Sequence, residues 1–166
     1  MVILGLGSNK GDSVRIILNA AEALGEILTD IKLASLYETA PLHVTDQARF
    51  INTAVSGLYS RTPAELLSRV NETEARFGRD RSRERRWGER SLDIDILLFG
   101  DLIVNEPYLR IPHAMLKERR FALEPLLELF PDAAEPGAGI LYRKYCDALP
   151  DQGVVKIRNE ELGMRN

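Results

Sequence analysis

The chain has 166 residues, a formal net charge of −3, 45% hydrophobic and 28% charged residues, and a single cysteine, Cys146. That is the size of one domain with a real core and the composition of an ordinary globular protein, not of a disordered or membrane-spanning one. One cysteine excludes a disulfide framework and a cysteine-based zinc site; it fits a reducing compartment, so a cytoplasmic location is expected.

Val2 to Leu6 reads as a short buried strand, and the opening lacks the basic stretch and long apolar run of a signal peptide or membrane span. Gly7-Ser8-Asn9-Lys10-Gly11-Asp12 is a turn-rich loop without the glycine spacing of a P-loop or a dinucleotide fingerprint. Asp12 or Ser13 caps a helix carrying Val14, Ile17, Leu18, Ala21, Leu24 and Leu28 on one face. Lys32 to Thr39 reads as a second strand, stopped by Pro41, and Leu42 to Arg49 as a loop. Phe50 to Tyr59 reads as a third strand. Its alternation puts Phe50, Asn52 and Ala54 on one face and Ile51, Thr53 and Val55 on the other. An aromatic beside an amide can hold a flat heterocycle, one stacking and the other hydrogen-bonding. The commoner use of such a pair is structural, with Phe50 in the core and Asn52 bonded to a loop.

Thr62-Pro63-Ala64-Glu65 is a capping box with proline at the first helical position. Leu66, Leu67, Val70 and Phe77 form the buried stripe of that helix, and Gly78 ends it. Next come Arg79, Arg81, Arg83, Arg85, Arg86 and Arg90, a positive island in an acidic chain. Arginine presents a planar fork suited to phosphate. The run by itself admits a solvated charge run, a nucleic-acid grip or a nucleotide-phosphate clamp. Ser91 to Phe99 alternates as a strand, placing Leu92, Ile94, Ile96 and Leu98 on one face and Asp93, Asp95, Leu97 and Phe99 on the other. The two carboxylates then project together, about 6–7 Å apart at the backbone, which suits hard cations bridged by phosphate oxygens. Beside this pair the nucleotide-phosphate reading leads.

Leu102 to Val104 reads as a short strand, Ile111-Pro112-His113 as a turn, and Arg119, Arg120 and Phe121 as the approach to a helix opened by Pro125 and stopped by Pro131. A lone histidine in a proline turn is more often structural; Arg119, six residues on, makes a shared phosphate role arguable. Ile140 to Leu149 reads as a last helix, Val154 to Ile157 as a short strand, and Arg158 to Asn166 as a frayed tail. Interspersed strands and helices without strict alternation predict an α+β fold, a largely antiparallel sheet with helices packed on it, in one domain over residues 1–166.

In order, the pieces are G-L-G-S-N, S-L-Y-E-T-A-P, Q-A-R-F-I-N, G-R-D-R, R-W-G-E-R-S-L-D-I-D-I-L-L-F-G, I-P-H and R-R-F-A-L-E-P-L-L-E-L-F-P. From Leu4 to about Pro131 the chain strongly resembles the 6-hydroxymethyl-7,8-dihydropterin pyrophosphokinase family of folate biosynthesis. That resemblance implies a ferredoxin-like α+β core, two Mg2+ ions, and transfer of pyrophosphate from ATP to the hydroxymethyl group of 6-hydroxymethyl-7,8-dihydropterin, with release of AMP. It also implies residue roles. Asp93 and Asp95 match the magnesium ligands. Arg81, Arg86, Arg90, His113 and Arg119 fall at or near triphosphate positions, Arg81 and Arg90 serving catalysis as well. Asn71 and Glu74 lie where the family approaches the nucleotide. Asn52 matches the pterin-binding asparagine, Phe50 and Phe121 the aromatic pair around the pterin, and Trp87 a tryptophan in a loop over the site. Thr39, Pro41 and Leu42 match pterin contacts, with Asp93 close by. The segment from Gly78 to Trp87 is one residue longer than the family pattern, Glu89 replaces its proline and Ser91 its threonine. A nucleic-acid-binding domain and a kinase transferring only the γ-phosphoryl group are the rival readings. No nucleic-acid or membrane partner is expected, and the chain is expected to be a monomer.

Overall fold

The structure, a computed structural model, describes residues 1–40, 48–79 and 88–158. Its elements are β1 (Val2–Ser8), α1 (Ser13–Ala23), β2 (Thr29–Leu33), β3 (Tyr37–Thr39), β4 (Phe50–Leu58), α2 (Pro63–Arg76), β5 (Asp93–Phe99), β6 (Val104–Glu106), β7 (Leu109–Ile111), α3 (Arg120–Leu129), α4 (Tyr142–Ala148) and β8 (Val155–Lys156). The main sheet runs β5-β1-β4-β3-β8, with β2 also paired to β4. Every pairing in it is antiparallel. With β2 and β3 taken as one broken strand, this is the β-α-β-β-α-β arrangement of a ferredoxin-like sheet, as expected. β6 and β7 form a separate hairpin. No described helix is long and apolar enough to cross a membrane.

Local rules account for the helix ends. Asp12 caps α1 by accepting from the Arg15 amide at 3.1 Å. The Thr62–Glu65 capping box is formed, with Pro63 opening α2. Gly78 closes α2 with φ at 82°, a left-handed conformation glycine adopts without cost. Alternation along the central strands splits the interior in two. Val2, Leu4, Leu6, Ile51, Val55, Ile94 and Ile96 pack with Ile17 of α1, Leu24 just beyond its end, and Leu66 and Val70 of α2. Ile3, Ala54, Leu97 and Leu98 pack on the other face with Leu123, Leu126 and Leu127 of α3 and Tyr142 and Cys146 of α4.

Four local expectations are corrected. The strand foreseen over Lys32 to Thr39 is two strands, β2 and β3. Between them the Thr53 hydroxyl bonds the Ala34 and Ser35 carbonyls, at 3.1 and 3.0 Å, where the ladder would have continued. β5 carries an irregularity opposite Ile3/Leu4. Leu97 and Leu98 therefore both join the α3 side, and Phe99 crosses to pack with the α1 and α2 side. The short strand foreseen at Leu102 to Val104 begins at Val104 instead, leaving Leu102 and Ile103 exposed. Helix α3 starts at Arg120, five residues before Pro125, which lies inside it. Burial of Ala122, Leu123, Leu126 and Leu127 outweighs the one backbone bond that proline removes.

Candidate active site

The site forms on the α3 face of the sheet because two strand positions there have no side chain. In the register of the sheet, Gly7 lies between Asp93 of β5 and Asn52 of β4, and Gly5 lies between Asp95 and Ala54. The row Asp93–Gly7–Asn52 thus separates carboxylate from amide by two strand spacings, about 9.5 Å at the backbone. A cavity of about 320 Å³ opens over this row; its wall includes Thr39, Phe50, Arg90, His113, Arg119 and Phe121.

The two carboxylates have different surroundings. Asp93 accepts from Arg79 and Arg90. Asp95 faces His113 Nε2 at 3.8 Å and Arg119 Nη1 at 3.9 Å. Enclosure in the cavity and the neighbouring Asp93 charge push the Asp95 carboxyl above the usual range, and His113, Arg119 and Arg90 offset only part of that. His113 Nδ1 accepts from the Met115 amide at 3.2 Å, so the neutral ring carries its proton on Nε2. It is a donor toward Asp95 and the cavity, not a base.

At the other end, Asn52 Nδ2 donates to the Thr39 hydroxyl at 3.0 Å, an orientation set by a side chain and not by a loop backbone. Phe121, in the first turn of α3, carries the Arg119 guanidinium 5.7 Å from its ring centroid. The helix start at Arg120 is what brings these two residues to the cavity.

Glu74 is placed differently from the other candidates. It is 1% exposed and lies off the cavity wall, where it accepts from the Ile94 amide at 2.8 Å and from Arg79. It holds the backbone between the two aspartates. Asn71 is also absent from the described wall. Arg81, Arg86 and Trp87, with Pro41 and Leu42, lie outside the described residues. Glu74→Ala is expected to cost about 1–3 kcal/mol, because it leaves the buried Ile94 amide without its acceptor and removes one of the carboxylates paired with Arg79, whose side chain is 7% exposed. Glu74→Gln keeps an acceptor and should cost less. Urea unfolding of both variants checks the order; equal losses would refute this account of Glu74.

Sequence reasoning missed Asn9. Its side-chain oxygen accepts from the Arg90 amide at 2.8 Å, and its backbone N–H donates to the Arg90 carbonyl at 3.1 Å. The loop without a phosphate motif thus serves to clamp the arginine next to the D-I-D strand. Its position after β1, the strand paired with β5, was the available signal.

A polar, charged end and an aromatic, amide-bearing end joined over bare backbone have the chemistry to suit an anionic group and a flat polar ring together. The model of the 7,8-dihydro-6-hydroxymethylpterin-pyrophosphokinase (HPPK) family matches residues 3–131, and the chain belongs to that family. A 2-amino-4-hydroxy-6-hydroxymethyldihydropteridine pyrophosphokinase of Aquifex aeolicus is 40% identical over 144 residues, 86% of each chain. The Bacillus subtilis protein of that name is 41% identical over 128 residues, 76% of this chain and 75% of its own. A mitochondrial folate synthesis bifunctional protein of Arabidopsis thaliana is 42% identical over 139 residues, but the match spans only 24% of it. Among solved structures, a Plasmodium falciparum HPPK-DHPS chain superposes with a TM-score of 0.68 at 16% identity, over 88% of this chain and 44% of that one. That likeness concerns the fold alone.

Proposed function

We propose that the row Asp93–Gly7–Asn52 is the reaction axis of a pyrophosphokinase acting in folate synthesis. The chain transfers pyrophosphate from ATP to the hydroxymethyl group of 6-hydroxymethyl-7,8-dihydropterin and releases AMP. The observation that carries the reading is the opposed placement of the carboxylates and the amide across a glycine. A pterin whose polar edge lies against Asn52 extends its hydroxymethyl arm toward Asp93 and Asp95.

The carboxylate pair fits magnesium. Two like charges share one face, and their repulsion helps raise Asp95, a strain that a divalent cation relieves. Among the described residues no third His, Cys, Asp or Glu completes a cluster. That suits a metal whose remaining ligands are water and substrate phosphates. Asp93 and Asp95 would hold two such ions, whose charge neutralises the triphosphate when bound. Arg90, Arg119 and the Nε2–H of His113 present donors to the same region and favour charge on the transferring group. Phe50 and Phe121 supply apolar surface for the ring, and Asn52 supplies orientation. Since its Nε2 is a donor, His113 does not serve as the base for the hydroxyl proton. The cytoplasm is the proposed compartment.

Incubating the chain with ATP, magnesium and the dihydropterin alcohol, and resolving the nucleotide products, tests the reading. AMP is the expected product. ADP in its place would assign a γ-phosphoryl kinase.

A further inference from the structure

The family match ends at residue 131, yet a residue beyond it reaches the cavity: Gln152 is part of the wall. We propose that Gln152 is a positioning residue that holds Arg119 and Phe121 in their working places, an inference that rests on the site reading above. Its side chain bonds both sides of Arg119. Oε1 accepts from the Arg120 amide at 2.9 Å, and Nε2 donates to the Glu118 carbonyl at 2.9 Å.

Helix α3 has no side-chain cap from its own N-terminal residue. Gln152 takes that place from a distant part of the chain, satisfying an amide at the helix start. The residue is itself held. The Asp151 carboxylate accepts from the Gly153 amide at 2.8 Å, and Gly153 has φ at 64°, so Gln152 sits at the apex of a closed turn. On one side of the turn, the Leu149 carbonyl accepts from Arg120 Nη1 at 3.1 Å. On the other, β8 pairs with β3, the strand that ends at Thr39, and Lys156 lies 3.2 Å from Glu128 of α3. A tether fixed at both ends thus sets the peptide groups flanking Arg119, and with them the first turn that carries Phe121. Because Arg119 reaches toward Asp95 while the Phe121 ring lines the cavity beside it, loss of the tether affects both the pterin and the transfer step.

The test compares Gln152→Ala and Gln152→Glu with Lys156→Ala, which weakens docking of the same segment away from the cavity. Pterin and ATP binding are measured by calorimetry, kcat and KM by AMP release, and folding by thermal melts. Gln152→Ala is expected to raise the pterin KM and lower kcat, together costing about tenfold to a hundredfold in kcat/KM, as for two lost hydrogen bonds. Gln152→Glu keeps the acceptor for the Arg120 amide but loses the donor to Glu118, and should fall between; it provides the same reading if the alanine variant does not fold. Lys156→Ala should lower Tm with kinetics within about twofold of wild type. If the Gln152 variants melt lower but keep wild-type kcat and KM, or if Lys156→Ala shows the same kinetic loss, the positioning role is overturned. A wild-type chain that binds no pterin would instead overturn the site reading, and this inference with it.

Discussion

Asp95→Asn is expected to reduce turnover on the order of a thousandfold while leaving the metal-free chain at least as stable as wild type. The two effects have one cause. Asp95 is held beside Asp93 with its carboxyl above the usual range, so its ionised form is disfavoured in the fold. The native state therefore binds that proton more tightly than the unfolded chain does. Metal-free wild-type stability should fall as pH rises from the ordinary carboxylate value through the raised Asp95 value, and Asp95→Asn should flatten that decline. Asp93→Asn differs in sign. Asp93 is the acceptor for Arg79 and Arg90, so the amide leaves two guanidinium groups underpaired and should cost about 1–3 kcal/mol as well as activity. Thermal melts in chelator across about pH 4–8, with AMP assays in magnesium, separate the cases. An Asp95→Asn chain that melts well below wild type, or that turns over normally, would refute this account of the carboxylate pair.

At the opposite end of the cavity, Phe121→Ala should weaken pterin binding by about 1–3 kcal/mol, on the scale of base–aromatic stacking. ATP should be affected less. The Arg119 guanidinium loses its aromatic neighbour but keeps its place near Asp95, a loss of about 0.5–1 kcal/mol. Asn52→Ala should show the same selectivity for pterin, with an added stability loss, because the buried Thr39 hydroxyl loses its donor. Titration of each variant with each ligand, after a melt confirms folding, gives the answer. If Phe121→Ala weakens ATP as much as pterin, the division of the cavity into two ends is wrong.

The parts of this site that were legible in the sequence follow from short-range rules. The capping box of α2, the glycine that ends it and the shared face of Asp93 and Asp95 depend on residues two to four positions apart. So does the pairing of Phe50 with Asn52 on one face of β4. The irregularity in β5 depends on how that strand meets β1, so alternation carried Leu98 and Phe99 to the wrong sides. The start of α3 depends on a partner far along the chain, Gln152 joining Arg120 across 32 positions, and the placing of Arg90 depends on Asn9, 81 positions away. Pro125 was the stronger local signal for a helix start, and tertiary contacts overrode it.

Gly5 and Gly7 bear on how this cavity could escape an inhibitor. A compound resting on that strip touches main chain, which no point mutation can delete. Resistance there must come from added atoms, and the first added carbon at Gly7 would lie 3.1 Å from Asn52 Oδ1, while one at Gly5 would lie 3.2 Å from the Leu97 side chain. The first crowds the group assigned to hold the substrate; the second presses on the core beneath α3. Drug pressure directed at the bare strip therefore leaves the enzyme few substitutions that spare its own catalysis.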